Sequence, residues 1–75
     1  MATDKRRAKR HLEEMLMKRH LLVRDLEAYR EGGGAAYWVE RCERLVKAEE
    51  RRIREHCARH DLELPHDVPP ARARG

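Results

Sequence analysis

Apolar residues recur three and four positions apart along two segments of the chain, which is the period of one face of an α-helix. The first segment contains Ala8, Leu12, Met15, Leu16, Leu22, Val23, Leu26 and Tyr29, and the second contains Ala35, Val39, Cys42, Leu45, Val46, Ile53 and Cys57. No segment alternates apolar and polar residues as a half-buried strand does. The pattern predicts an all-α fold with helices over residues 4–31 and 35–60, the first beginning near Thr3 or Asp4.

Three adjacent glycines, Gly32, Gly33 and Gly34, separate the two predicted helices. Glycine loses more backbone entropy in a helix than other residues do, and it readily takes the left-handed conformation that ends one. A turn over residues 32–34 makes the helices antiparallel neighbours, so residues whose numbers sum to about 66 face each other. Under this rule we expect Arg19 and Glu49 to form a partly buried ion pair.

The sequence changes in character after His60. Pro65, Pro69 and Pro70 exclude a continuing helix, and few apolar residues are available for packing. We therefore predict one hairpin domain over residues 1–61 and a disordered tail, containing proline and arginine, over residues 62–75. In the alternative, Leu62, Leu64 and Val68 fold back over the open end of the hairpin.

The composition limits how much core the chain can bury by itself. Of its 75 residues 40% are hydrophobic and 43% charged, with no Phe and one Trp. Because so short a chain gains little net stability from its own core, we expect a partner or dimerisation into a four-helix bundle. In length and organisation the chain resembles the plasmid-type two-helix hairpins that dimerise into such bundles and bind RNA.

Two features of the sequence favour a cytoplasmic location and no membrane partner. No apolar run is longer than that of residues 35–39, which is too short for a membrane span or the core of a signal peptide. Cys42 and Cys57 lie on one predicted helix at a separation of roughly 22 Å, which prevents a disulfide between them. Two free thiols agree with a reducing compartment.

The excess positive charge is concentrated at the start of the first helix. The formal net charge is +4, and residues 1–10 account for all of it, because the remainder contains equal numbers of basic and acidic residues. Positive charge near a helix N-terminus opposes the macrodipole, so folding alone does not favour this arrangement. We predict an anion-binding segment formed by Lys5, Arg6, Arg7, Lys9 and Arg10, extended across the open end by Arg51 and Arg54. The alternatives are a frayed, solubilising end for residues 5–10 and, for the second helix, a solvated face neutralised by its own Glu–basic pairs.

The aromatic residues Tyr29, Tyr37 and Trp38 lie at the other end, around the glycine turn. They either plug the tip of the hairpin or serve as exposed anchors for a protein partner, since Trp and Tyr are enriched at interface hot spots. In the second interpretation Tyr37 and Trp38 are partner-binding residues.

Five histidines raise the question of a metal site. His56 and His60 are four residues apart on one helix, and the pairing rule brings His11 close to them. The chain has no CxxC or HExxH motif, so we predict ordinary histidines bordering the seam and no cofactor. His11, His56 and His60 remain the alternative zinc ligands.

These features together predict a function without catalysis. The chain contains no Ser and no glycine-rich phosphate loop after a strand, and two helices enclose no substrate pocket, so we expect no enzyme. The leading hypothesis is a small regulatory protein, of the kind a phage or bacterium uses, that docks onto RNA polymerase or another nucleic-acid-processing complex. One alternative is a homodimeric helical bundle that binds RNA or DNA directly through the basic segment, and another is a structural coiled-coil adaptor.

Overall fold

The computed structural model of the chain describes residues 2–70, with side chains from Asp4 onward. Helix α1 spans Ala2–Glu31 and helix α2 spans Ala36–His60. The two helices pack against each other, and no strand occurs between residues 2 and 70. The predicted all-α hairpin is therefore confirmed. Because α1 begins at Ala2, the backbone of Thr3 and Asp4 lies inside the helix and does not cap it.

The glycine turn closes through backbone hydrogen bonds. The amide of Gly32 donates to the Ala28 carbonyl at 2.9 Å, and the amide of Gly34 donates to the Tyr29 carbonyl at 2.7 Å. Gly33 takes the left-handed conformation, with φ of 70°. A Cβ atom on Gly34 would lie 3.0 Å from the Tyr29 carbonyl oxygen, so a larger residue is excluded there unless the turn shifts.

Contacts between the helices confirm their antiparallel order. From the turn to the open end, Arg30 pairs with Glu43, Arg19 with Glu50, and the His56 ring with the Ala8 carbonyl. The predicted partner of Arg19 was wrong by one residue, because its Nε donates to Glu50 at 2.9 Å and not to Glu49. Successive helical residues are about 100° apart, so Glu49 and Glu50 face opposite edges of the hairpin.

These contacts define two edges along the hairpin. The Arg19 edge contains the Arg19–Glu50 and Arg30–Glu43 ion pairs. The Lys18 edge contains the buried carboxylate of Glu49, whose Oε1 lies 3.7 Å from Lys18 Nζ and 3.9 Å from Arg52 Nη1. The two edges also differ in exposure, because residues 67–69, which follow α2, contact the Arg19 edge near the open end of the hairpin.

The hydrophobic core lies toward the open end of the hairpin. Its main cluster consists of Leu12, Met15, Ile53, Cys57 and Val68, with Leu16, Leu62 and Leu64 packed against it. Nearer the turn, Leu26, Cys42 and Val46 are also buried. Leu45, which the sequence pattern assigns to the seam, is 42% exposed instead, because its neighbour Val46 takes the inward position.

Residues 62–70, here called the strap, pack over the open end where the sequence predicted a disordered tail. Asp61 ends α2 in the left-handed conformation, and the Leu62 amide donates to the Cys57 carbonyl at 2.8 Å. Val68 is 1% exposed, so this valine is part of the core. The prediction of disorder does not hold for the strap, and the alternative of a folded-back segment describes it; residues 71–75 lie outside the described residues.

The strap is attached to the Arg19 edge by polar contacts. Arg19 Nη1 lies 3.8 Å from an Asp67 carboxylate oxygen, and Arg54 Nη1 donates to the Pro69 carbonyl at 3.1 Å. Since these two arginines and Val68 hold residues 67–69 against the hairpin, the Arg19 edge is covered near the open end. The Lys18 edge has no such cover among the described residues.

Candidate interaction surfaces

Five exposed basic side chains, here called the basic cluster, lie in the first turns of α1; they are Lys5, Arg6, Arg7, Lys9 and Arg10. Within residues 4–70 none of the five forms an ion pair. Lys5 and Lys9 are four residues apart, as are Arg6 and Arg10, so like charges are neighbours on the helix surface. The structure thus places the basic cluster where it repels itself and opposes the helix dipole, which leaves it without a stabilising role in the described fold.

The two arginines predicted to extend this cluster, Arg51 and Arg54, differ in exposure and in contacts. Arg51 is exposed on α2. Arg54 is half-buried and its guanidinium donates to the strap, as described above. Arg54 therefore contributes one hydrogen bond to the fold, whereas Arg51 makes no hydrogen bond or ion pair with the other residues between 4 and 70.

The aromatic residues form a second surface at the turn. The rings of Tyr29 and Trp38 stack with centroids 6.4 Å apart, and Tyr37 meets Trp38 edge-on at 5.1 Å. Exposed fractions are 39% for Tyr29, 57% for Tyr37 and 48% for Trp38. Leu45 lies seven residues after Trp38, two helical turns away, and so extends the same face. We call these four residues the aromatic surface.

The exposed fractions of these rings are larger than those expected of residues that plug the tip of the hairpin. A plug would bury its rings, whereas the stacked Tyr29 and Trp38 hold each other in place while keeping much of their area in solvent. The sequence identified Tyr37 and Trp38 as candidate anchors but missed Leu45. Its spacing of seven residues from Trp38 was the available indication.

The histidines predicted to converge do so at the open end of the Lys18 edge. The ring centroids of His11 and His56 are 5.0 Å apart, and those of His56 and His60 are 4.5 Å apart. Together with Asp4, Arg7 and Ala8 they line a shallow pocket of about 440 Å³. We call His11, His56 and His60 the histidine cluster.

Hydrogen bonds and charges orient part of this cluster. His56 Nε2 lies 2.8 Å from the Ala8 carbonyl oxygen, and His11 Nδ1 lies 3.7 Å from Glu14 Oε1. As they stand, no three His, Cys, Asp or Glu side chains between residues 4 and 70 are arranged to hold a metal ion. The sequence did not indicate that Asp4 would line the same pocket, since a lone carboxylate in the first turn is common in helices.

Neither cysteine lies on these surfaces. Both thiols are free and buried, and burial raises the pKa of the Cys57 thiol. A buried thiol with a raised pKa forms little thiolate at neutral pH, so it is a poor nucleophile.

Within residues 2–70 neither helix is both long and apolar enough to cross a membrane. The chain matches no known protein family, no curated protein and no solved structure.

Proposed function

We propose that this chain is a small non-enzymatic regulatory protein that docks, through its aromatic surface, onto a protein component of a transcription complex or another nucleic-acid-processing complex. The observation that carries the proposal is the exposure of the contacting rings of Tyr29, Tyr37 and Trp38 near the turn, with exposed Leu45 two helical turns along α2. Trp and Tyr are enriched among the few residues that contribute most of the binding energy at protein interfaces.

The distribution of charge supports a protein surface as the main target. Beyond residue 10 the chain has equal numbers of basic and acidic side chains, so most of the hairpin has no excess positive charge for tracking a phosphate backbone. The basic cluster lies at the opposite end from the aromatic surface. A partner held at the turn would leave this cluster facing an acidic patch of the partner or nearby nucleic acid.

The first test removes the aromatic anchors. The double variant Tyr37→Ser, Trp38→Ser is expected to lose at least about 90% of its captured partner in a quantitative pull-down from nuclease-treated lysate, because loss of one hot-spot residue already costs roughly 2 kcal/mol. The matched control is Met17→Ser, Leu21→Ser, which removes two apolar side chains that are 60% and 51% exposed on α1.

The control variant is expected to capture the same protein as the wild type after nuclease treatment. Circular dichroism should show both double variants as helical as the wild type, since the changed side chains are exposed. Equal capture by the aromatic variant and the wild type would contradict the proposal. Loss of every captured protein on nuclease treatment would do so too.

A second candidate function, direct binding of RNA or DNA, rests on the unpaired basic cluster. We expect the triple variant Arg6→Gln, Arg7→Gln, Arg10→Gln to bind labelled nucleic acid more weakly, with a salt dependence reduced by up to about three units of log–log slope. Fluorescence anisotropy over a salt series measures both quantities. If the triple variant and the wild type give the same affinity at low and moderate salt, this second function is wrong.

The melting temperature of the triple variant gives an independent readout. Replacing cations near the helix N-terminus relieves their repulsion, so the melting temperature is expected to stay constant or rise. A fall in both stability and binding would mean that the cluster acts through the fold and not through an anionic partner.

A further inference from the structure

The histidine cluster brings three imidazoles together from two helices. His11 lies on α1, and His56 and His60 lie one turn apart on α2. The ring of His56 lies 5.0 Å from that of His11 and 4.5 Å from that of His60, between centroids, and the side chains of His11 and His60 are exposed. Folding of the hairpin has therefore already brought together residues that are 45 or more positions apart in the sequence.

We propose that His11, His56 and His60 bind one late first-row divalent cation of the Zn²⁺ type at the open end of the hairpin. Neutral imidazole is a preferred ligand of Zn²⁺, Cu²⁺ and Ni²⁺, whereas Mg²⁺ and Ca²⁺ prefer oxygen. Two histidines four apart on a helix present their rings on one face, which is the spacing that chelates a single ion. The third imidazole, from α1, converts this chelate into a clamp between the helices.

The contacts of two rings identify the nitrogens that would bind the metal. A metal-binding histidine usually donates its other ring N–H to a carbonyl or carboxylate, which fixes the ring and its tautomer. His56 Nε2 meets the Ala8 carbonyl at 2.8 Å, which leaves Nδ1 as the ligand atom. His11 Nδ1 faces the Glu14 carboxylate at 3.7 Å, which leaves Nε2. His56 thus already has an acceptor at the nitrogen that does not bind the metal, and the Glu14 carboxylate lies near the corresponding nitrogen of His11.

Binding requires a local rearrangement, because no three ligand side chains of residues 4–70 hold a metal geometry as they stand. His56 is anchored by Ala8, while His11 and His60 are exposed and rotate on the fast timescale of surface side chains. Asp4 lines the same pocket and offers a carboxylate for the fourth tetrahedral position, which water otherwise fills. The Arg7 guanidinium in that pocket opposes a cation, and the carboxylates of Asp4 and Glu14 offset its charge.

The test is titration of the untagged full chain with Zn²⁺ alone in a calorimeter at neutral pH. The wild type is expected to bind one ion per chain. His11→Gln and His60→Gln are each expected to weaken binding by at least about tenfold, since loss of even an outer contact of a metal ligand costs that much. The matched controls are His20→Gln, on α1 and outside the cluster, and His66→Gln in the strap; both should bind as the wild type does.

Thermal unfolding provides a second readout. Because the ligands come from both helices, Zn²⁺ at about 100 times its dissociation constant should raise the melting temperature by roughly 10–20 °C, and His11→Gln should remove most of this rise. The proposal is wrong if the wild type shows no 1:1 binding up to millimolar Zn²⁺, or if all four variants bind with equal affinity. It is also wrong if only His60→Gln weakens binding, because the chelate would then be confined to α2.

Discussion

Ile53→Asp is expected to leave the protein largely unfolded at room temperature. Ile53 is fully buried at the centre of the main core cluster, between α1, α2 and the strap. Replacing it removes an apolar side chain and buries a carboxylate with no partner, at a cost of about 4 kcal/mol or more. A chain of this length has a total stability of only about 4–10 kcal/mol, so the loss is comparable to the whole.

The matched control for this variant is Leu45→Asp on the same helix. Both substitutions place an aspartate in the interior of α2 and have similar effects on helix propensity, but Leu45 is 42% exposed. We expect Leu45→Asp to shift the urea midpoint only slightly, by an amount equivalent to about 1 kcal/mol or less. Circular dichroism during urea unfolding measures both variants. Equal loss of helix in the two would show that burial of Ile53 is not what stabilises the hairpin.

Val68→Asp is expected to detach the strap and leave the hairpin folded. The valine is 1% exposed and makes the strap part of the core, so its loss should cost about 1–3 kcal/mol. The loss of stability cannot exceed the free energy with which the strap binds the hairpin, because a detached strap exposes the new carboxylate to solvent. Helix content should then stay nearly constant while the stability falls.

Reactivity of the Cys57 thiol reports detachment directly. Cys57 packs in the same cluster as Val68, and burial raises its pKa, so detachment should expose the thiol and return its pKa toward the ordinary value of 9.0. In a Cys42→Ser background we expect Val68→Asp to speed modification of Cys57 by a disulfide reagent at least about tenfold. His66→Asp, at an exposed strap position, is the control. An unchanged rate in Val68→Asp would mean that the strap does not cover Cys57.

The helices and the turn were predictable because each has a local cause in the sequence. Apolar spacing predicted the faces that become buried, and the glycines at 32–34 predicted where helix formation stops. The antiparallel register followed from the shortness of the turn, and it also predicted that His11 would meet His56 and His60. It did not predict the partner of Arg19, because a shift of one residue moves a side chain from one edge of a helix to the other.

The strap was predicted as disordered because its packing has no period. Val68 stands alone between Asp67 and Pro69, and its burial depends on a groove that exists only after the helices have met. Sequence patterns reveal helices and strands because their apolar residues recur at a fixed period. A single apolar residue that fills a gap between helices cannot be distinguished, in the sequence, from one in a flexible tail. Leu45 is the opposite case, because its spacing predicts a buried position between the helices but its side chain is exposed.

The two proposed binding surfaces share one edge of the molecule. Trp38 and His56 differ by 18 residues, five helical turns, so they lie on the same face of α2 at opposite ends. The strap covers the other edge near the open end. A partner bound along the Lys18 edge would therefore contact both the aromatic surface and the histidine cluster, whereas one confined to the turn would leave the metal site accessible.

We expect the glycine turn also to set the order in which the chain folds. Sequence separation between paired residues grows steadily away from it, from 13 for Arg30 and Glu43 to 31 for Arg19 and Glu50 and 48 for Ala8 and His56. Each pair that forms shortens the loop that the next must close, so the helices can zip from the turn outward at low entropic cost. Folding should therefore take microseconds to milliseconds, as in other helical proteins dominated by local contacts, and docking of the strap should be its last step.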